Sequence, residues 1–155
     1  MHVLYPGSFD PPTLGHVHVM ERASRLFKKV TVFVAMNPEK ASWCTVEERE
    51  EMLRRIAARW RNVAVSSGQG LLAEHAAALK ADAILKGLRG PADLEMEHQM
   101  ASVNHLLCGM ETLFMVAHEG YAHTSSSLVR QVLRLGGEIR PFVPEEVLPL
   151  IAGKR

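Results

Sequence analysis

The chain has 155 residues, about the size of one domain, and its composition of 47% hydrophobic and 23% charged residues is that of a globular protein rather than a disordered one. Its 18 lysines and arginines nearly balance 17 aspartates and glutamates, so the net charge of +1 excludes a broad basic surface for nucleic acid. The N-terminus lacks a secretory leader pattern, and no apolar run approaches the roughly 18 residues of a membrane span. We therefore expect a cytoplasmic protein that contacts neither nucleic acid nor a membrane.

Short apolar runs alternate with helix-like stretches along the chain, which is the pattern of parallel strands joined by crossover helices. The predicted strands are 3–5, 30–35, 63–65, 83–85 and 112–116, and the predicted helices are 15–28, 46–58, 71–80, 91–108, 125–135 and a short one after Pro144. No linker or internal repeat divides the chain. The sequence thus predicts a single doubly wound, Rossmann-like α/β domain over residues 1–155, with about five parallel strands and helices on both faces. In such sheets ligands bind beyond the carboxyl ends of the strands, near the point where the strand order reverses.

Signals for a metal site are weak. Cys44 and Cys108 belong to no Cys-x-x-Cys pair, and neither has histidines near it at structural-zinc spacing, so we expect reduced thiols. His118 and His123 have one residue too many between them for the paired ligands of a helical zinc-protease motif. No protein-held metal is predicted.

The segment from Tyr5 to His16, Tyr-Pro-Gly-Ser-Phe-Asp-Pro-Pro-Thr-Leu-Gly-His, joins the first predicted strand to the first helix. Glycines and the free amides of a helix N-terminus suit the close approach of a phosphate. The Ser8 hydroxyl and the His16 imidazole are short-range donors that can stabilise charge on a phosphoryl group. The alternative is that His16 only caps or packs the start of the helix. His18 should point to another face of the helix, where it is solvated or packed.

Two later segments carry cations at the same edge of the predicted sheet. Lys40 follows the second strand, where a lysine is either a point charge for phosphate or an ordinary solvated side chain. The segment from Lys86 to Gly90 (Lys-Gly-Leu-Arg-Gly) is predicted as a phosphate-binding turn after the fourth strand, although it is not a Walker A loop. Asp93 and Glu97 share a face of the next helix, which is either a solvated acidic face or a partner for these cations.

The run Thr124-Ser-Ser-Ser127 precedes the predicted helix 125–135. Its hydroxyls and free amides could hold a triphosphate, or the run could be a simple helix cap with spare serines.

Thr13-Leu-Gly-His16 matches the (H/T)xGH signature of a nucleotidyltransferase superfamily that binds ATP. With the segments above, the chain resembles bacterial phosphopantetheine adenylyltransferases over nearly its whole length. The resemblance implies transfer of the adenylyl group of ATP to 4′-phosphopantetheine, which gives dephospho-coenzyme A and pyrophosphate in the penultimate step of coenzyme A synthesis. It also implies a homohexamer, and we expect Mg²⁺ to arrive with ATP.

The same resemblance assigns roles to individual positions. The residues implied in catalysis are Ser8, His16, Lys40 and Arg89. The residues implied in binding the acceptor are Ser8, Lys40, Leu72 and Lys86. The residues implied in binding ATP are Ser8, Phe9, His16, Gly87, Leu88, Arg89, Glu97, Tyr121, Ala122, His123, Thr124, Ser125, Ser126 and Ser127. His123 and Thr124 depart from the aromatic and the hydrophobic residue that the family usually has there, and Lys86 gives up the bidentate geometry that an arginine could supply.

Two other interpretations compete with this one. Another member of the superfamily, such as a nicotinate-mononucleotide adenylyltransferase or a cytidylyltransferase, would share the Thr-x-Gly-His motif. The segment from Lys86 to Arg89, the acidic helix and the triple serine favour the pantetheine enzymes. Gly68-Gln-Gly-Leu-Leu-Ala73 fits a dinucleotide fingerprint, which would indicate a nicotinamide-dependent oxidoreductase or a non-catalytic nucleotide-binding module. That fingerprint belongs after the first strand, however, and here it follows the third.

Overall fold

The computed structural model describes residues 1–37 and 41–154, so the predicted site residue Lys40 lies outside the described residues. Strands and helices alternate, as the apolar pattern predicts. The strands are β1 (His2–Gly7), β2 (Lys29–Met36), β3 (Val63–Gln69), β4 (Ala83–Leu88) and β5 (Glu111–Val116). The helices are α1 (Leu14–Leu26), α2 (Val46–Ala57), α3 (Leu72–Ala78), α4 (Pro91–Cys108), α5 (Ser126–Arg134) and α6 (Leu148–Ile151). Within this described part of the chain, no helix is both long and apolar enough to cross a membrane.

The five strands form one parallel sheet in the order β3-β2-β1-β4-β5. Strand β1 is central, with Val3 beside Val30 on one side and Ala83 on the other. The direction of winding reverses between β1 and β4, which confirms the predicted doubly wound fold. The loops after these two strands therefore flank the crevice in which such folds bind ligands.

Alternate side chains of the strands enter different cores, because successive residues of a strand point to opposite faces of the sheet. Val3 and Tyr5 belong to a large cluster that includes buried residues of α1, α2 and α5. Leu4 and Phe33 belong to a smaller cluster with Ala76 of α3. Helices consequently cover both faces of the sheet, and its carboxyl edge remains for a site.

Three strands extend further than their apolar runs predict. Strand β1 continues to Gly7, β3 to Gln69 and β4 to Leu88. The predicted turn beginning at Lys86 is therefore wrong in its first half: Lys86, Gly87 and Leu88 are strand residues, paired with Phe114, Met115 and Val116 of β5. A parallel neighbour supplies backbone partners whatever the side chains are, and this is why the strand outlasts its hydrophobic run.

Candidate active site

The loop that follows β1 is shaped by a buried aromatic ring. Phe9 has φ of 48°, in the left-handed region that side chains other than glycine seldom adopt, and its side chain is fully buried. Its ring packs edge-on against Tyr5 and His16, with centroid distances of 5.5 and 4.9 Å. A Cβ on Gly7 would lie 2.9 Å from the Phe9 ring, so glycine is required there. The loop is thus held in a strained conformation by the core beneath it, while Ser8 is exposed.

His16 closes a capping box at the start of α1. The backbone amide of Thr13 donates to Nδ1 of His16 over 3.0 Å, while the Thr13 hydroxyl accepts from the His16 amide. The capping role considered as an alternative from the sequence is therefore real. Because Nδ1 accepts a hydrogen bond, the uncharged ring carries its proton on Nε2.

The electrostatic surroundings of His16 favour this uncharged ring. Burial, and to a lesser extent the Arg89 guanidinium, lower the pKa of His16 to about 4. Capping and chemistry are consequently compatible, since Nδ1 holds the helix start and the Nε2 proton can be donated to an anionic oxygen at neutral pH.

Two buried charged residues fasten this loop to the N-terminus of α2. The Asp10 carboxylate accepts hydrogen bonds from the amides of Trp43 and Cys44 at 2.8 and 2.7 Å. Arg49 donates to the carbonyl oxygen of Ser8 at 2.9 Å and also to that of Thr45. Sequence reasoning missed both residues because the bonds that join the loop to α2 span more than thirty positions, and a charged residue gives no sign of burial in its own sequence.

The end of β4 and the start of α4 form the other side of the crevice. The Lys86 ammonium lies 3.0 Å from the Glu97 carboxylate, and Arg89 makes paired hydrogen bonds of 2.9 and 3.0 Å to Asp93. These bonds hold the pKa of Asp93 below its usual range. Of the two interpretations of this acidic face, the structure has the partner for the cations: Asp93, four residues from Arg89, reaches its guanidinium, and Glu97, a turn further on, reaches Lys86.

The segment from Tyr121 to Ser127 reaches the same crevice from the end of β5. Ser125 caps α5 by accepting from the Leu128 amide, so the interpretation as a helix cap is correct for this serine. Ser126 donates to the carbonyl oxygen of Pro11 at 2.8 Å and joins the segment to the loop after β1. Ser127 is exposed.

The structure brings most of the predicted site together but not all of it. The loop after β1, the Lys86–Arg89 stretch and the 121–127 segment converge near the sheet reversal, and the charge of Arg89 reaches His16. Leu72 begins α3 at the end of the outer strand β3, where it is half-buried and packs against the smaller core cluster. Among the residues that the structure describes, no three His, Cys, Asp or Glu side chains come together to hold a metal ion.

A parallel sheet that reverses its winding beside a Thr-x-Gly-His helix start defines an α/β nucleotidyltransferase. A family model described as cytidylyltransferase-like matches residues 4–132. The chain belongs to the phosphopantetheine adenylyltransferase family, because relatives bearing that name match it over nearly its full length. The relative from Micrococcus luteus is 49% identical over 92% of each chain. Those from Clostridium perfringens and Heliobacterium modesticaldum are 44% and 43% identical, over 94% and 97% of this chain and 89% and 90% of their own.

A solved structure also resembles the fold. The Plasmodium falciparum nicotinic acid mononucleotide adenylyltransferase complexed with NaAD superimposes with a TM-score of 0.70, over 97% of this chain and 94% of that one. The two sequences are 14% identical, so this likeness concerns the fold alone. The family resemblance seen in the sequence is confirmed by the relatives, and the oxidoreductase alternative gains nothing, because its glycines lie at the end of the edge strand β3.

Proposed function

We propose that this protein transfers the adenylyl group of ATP to the phosphate of 4′-phosphopantetheine and releases dephospho-coenzyme A and pyrophosphate. The family relationship supports the substrates. The observation that supports the chemistry is His16, whose capping bond and low pKa leave an uncharged ring with a proton on Nε2 at the sheet reversal.

The acceptor is already a phosphate oxyanion, so the reaction needs no covalent enzyme intermediate and no strong general base. One of its oxygens attacks the α-phosphorus of ATP, a new P–O bond forms, and the bond to the β-phosphate oxygen breaks as pyrophosphate leaves. Catalysis then depends on alignment and on stabilising the charge of the transition state. His16 and Ser8 donate hydrogen bonds to the α-phosphate in this mechanism.

The cations and the serine segment divide the remaining phosphates between them. Lys40 and Lys86 hold the incoming phosphate. Before the acceptor binds, the Glu97 carboxylate, 3.0 Å from the Lys86 ammonium, keeps that ammonium in place. Arg89, oriented by Asp93, holds the leaving pyrophosphate together with the 125–127 turn. Leu72 contacts the aliphatic part of the pantetheine arm. The other predicted ATP-binding residues, Phe9, Gly87, Leu88, Tyr121, Ala122, His123 and Thr124, contribute backbone and walls to the nucleotide site.

Magnesium enters this proposal as part of the nucleotide. The donor set of the described residues does not fit a resident ion, since no cluster of three carboxylate, imidazole or thiolate groups is found among them. Phosphate oxygens and water would therefore ligate the ion, which neutralises phosphate charge.

We further propose a cytoplasmic homohexamer. Helix α4 exposes Met96, Met100, Val103 and Leu107, which are spaced as one stripe along the helix. Monomers seldom expose a long apolar patch, so the stripe supports contacts between subunits. Size-exclusion chromatography with light scattering should give about six times the 17.2 kDa of one chain. A mass of one chain at micromolar concentration would reject the assembly, and cell fractionation tests the location.

Pyrophosphate release from purified protein with ATP and Mg²⁺ tests the reaction. The acceptor is 4′-phosphopantetheine in one arm and nicotinate mononucleotide in another, and a third arm has no acceptor. We expect release with phosphopantetheine only. Release with the mononucleotide alone would replace the proposed acceptor, and no release in any arm would favour a non-catalytic nucleotide-binding module.

A further inference from the structure

The rings of His18, His118 and Tyr121 meet at the start of the 121–127 segment. The family resemblance assigns no role to His18 or His118. The His18 ring on α1 stacks on Tyr121, with a centroid distance of 4.6 Å and an angle of 23°. It also lies 4.5 Å from the ring of His118. His118 immediately precedes the 3₁₀ turn Glu119–Tyr121, whose last residue is Tyr121, and this turn precedes the serine run. His18 thus packs this turn against the first helix.

One face of α1 makes all of these attachments. Gly15 lies close to the turn, since a Cβ there would be 3.6 and 3.7 Å from the carbonyl oxygens of Thr124 and Tyr121. Arg22 donates to the carbonyl oxygen of Val116 at 2.6 Å. Positions 15, 18 and 22 are spaced three and four apart, so they share one side of the helix. His18 is the central contact, and its imidazole is the group among the three that can take up a proton.

The surroundings of His18 suit an uncharged ring. Its Nε2 is buried and has no hydrogen-bond partner among the described residues, so a proton added there would find no acceptor. Burial comes first among the influences that lower the pKa of His18, followed by His118 and then Arg22, while Glu21 raises it. The groups that face the ring are thus Arg22 and Glu21 from α1, and His118 and Tyr121 from the turn.

We propose that His18 is a positioning residue for ATP: its uncharged ring clamps the 118–121 turn onto α1, and the affinity for ATP falls when His18 takes up a proton. The inference rests on the proposed function, in which the 121–127 segment contacts the nucleotide. Protonation places a cation beside Arg22 and His118 and buries a charged Nε2 that has no hydrogen-bond acceptor among the described residues, so the turn separates from α1. His18 does not touch the reacting atoms in this account, and turnover at saturating ATP should change little.

Calorimetric titration with ATP and Mg²⁺ at about pH 7.5 and about pH 5.5 tests the clamp. His16 stays uncharged at both values, because its pKa is about 4. His18→Phe keeps a ring that cannot be protonated, His18→Ala removes the ring, and His98→Phe is the matched control at an exposed position. Protonation of ATP itself changes the measured affinity of the wild type and of every variant equally, so it cancels when their affinities are compared.

We expect His18→Ala to weaken ATP binding about three- to tenfold at pH 7.5, the range set by one aromatic pair. His18→Phe should bind as the wild type does at pH 7.5 and should lose less affinity than the wild type on acidification. In steady-state assays the KM for ATP should rise in His18→Ala, with kcat and the KM for the acceptor unchanged. Rescue by phenylalanine separates positioning from a general loss of folding.

Wild-type ATP affinity in His18→Ala at both pH values would overturn the clamp. So would a pH dependence of His18→Phe identical to that of the wild type and of His98→Phe. The titrations need no acceptor and no turnover. A protein that binds ATP in this manner but releases no pyrophosphate with phosphopantetheine would therefore reject the proposed reaction and support the clamp.

Discussion

Replacing Asp10 by alanine should destabilise the protein severely, because its buried carboxylate accepts hydrogen bonds from two backbone amides just before α2. The residue is 7% exposed, and its oxygens lie 2.8 and 2.7 Å from the amides of Trp43 and Cys44. A hydrogen bond to a charged acceptor contributes roughly 1.5–3 kcal/mol, and a buried donor left unpaired adds its desolvation cost. The Trp43 amide is only partly buried and can recruit water, so the full sum is not reached. We expect a loss of about 3–4 kcal/mol.

Urea unfolding of Asp10→Ala, Asp10→Asn and Glu51→Ala measures this loss. The Asp10→Asn variant keeps one side-chain oxygen as an acceptor but places an NH2 group opposite the second backbone amide. It should therefore lose about half as much free energy of unfolding as Asp10→Ala. Glu51 makes an exposed ion pair with Arg55, and its removal should cost less than about 0.5 kcal/mol. A domain of this size has a stability of roughly 5–15 kcal/mol, within which the predicted difference is readily resolved. Equal midpoints for Asp10→Ala and Glu51→Ala would refute the argument that buried amides depend on this carboxylate.

Three further outcomes are expected. His16→Ala should lower kcat about a hundredfold while the calorimetric Kd for ATP changes less than about threefold; a weaker Kd with normal kcat would reject the proposed role. The folded-state pKa of about 4 lies below the unfolded value, so the free energy of unfolding should fall as pH drops from about 6.5 to about 4, by up to roughly 3 kcal/mol. Urea titrations of His16→Gln should lack this pH-dependent part of the free energy of unfolding. Gly68→Ala should cost about 1–3 kcal/mol in thermal unfolding, because its Cβ would lie 2.3 Å from Cε1 of His75, whereas Gly120→Ala meets no atom within 4 Å; equal melting temperatures would contradict this.

The strands and helices could be predicted from the sequence because their signals are local. Apolar runs located all five strands, and the capping box of Thr45 and Glu48 at the start of α2 is a Thr-x-x-Glu pattern that four consecutive residues display. The length of β4 could not be predicted, because Lys86 and Gly87 gain strand partners only when β5 lies beside them. Strand ends depend on neighbours that are distant in sequence.

The candidate site was predictable as far as motifs reach. Thr13-Leu-Gly-His16 indicated that the loop after β1 belongs to the candidate site, but the Nδ1 bond that fixes the His16 ring depends on side-chain geometry. The spacing of Asp93 and Glu97 predicted that both carboxylates lie on one face of α4. Which of the two cations each carboxylate pairs with depends on its position along the helix. Asp10 acts across 34 positions, a separation at which no local pattern exists.

The bond between Thr13 and His16 ties the orientation of the His16 ring to a stretch of four consecutive residues. The first turn of α1 cannot form with this cap unless Nδ1 accepts from Thr13, and a ring so held has its proton on the opposite nitrogen. Tautomer and helix boundary are therefore set by the same local hydrogen bond. The same four residues at the start of another helix would carry this cap and this ring tautomer with them.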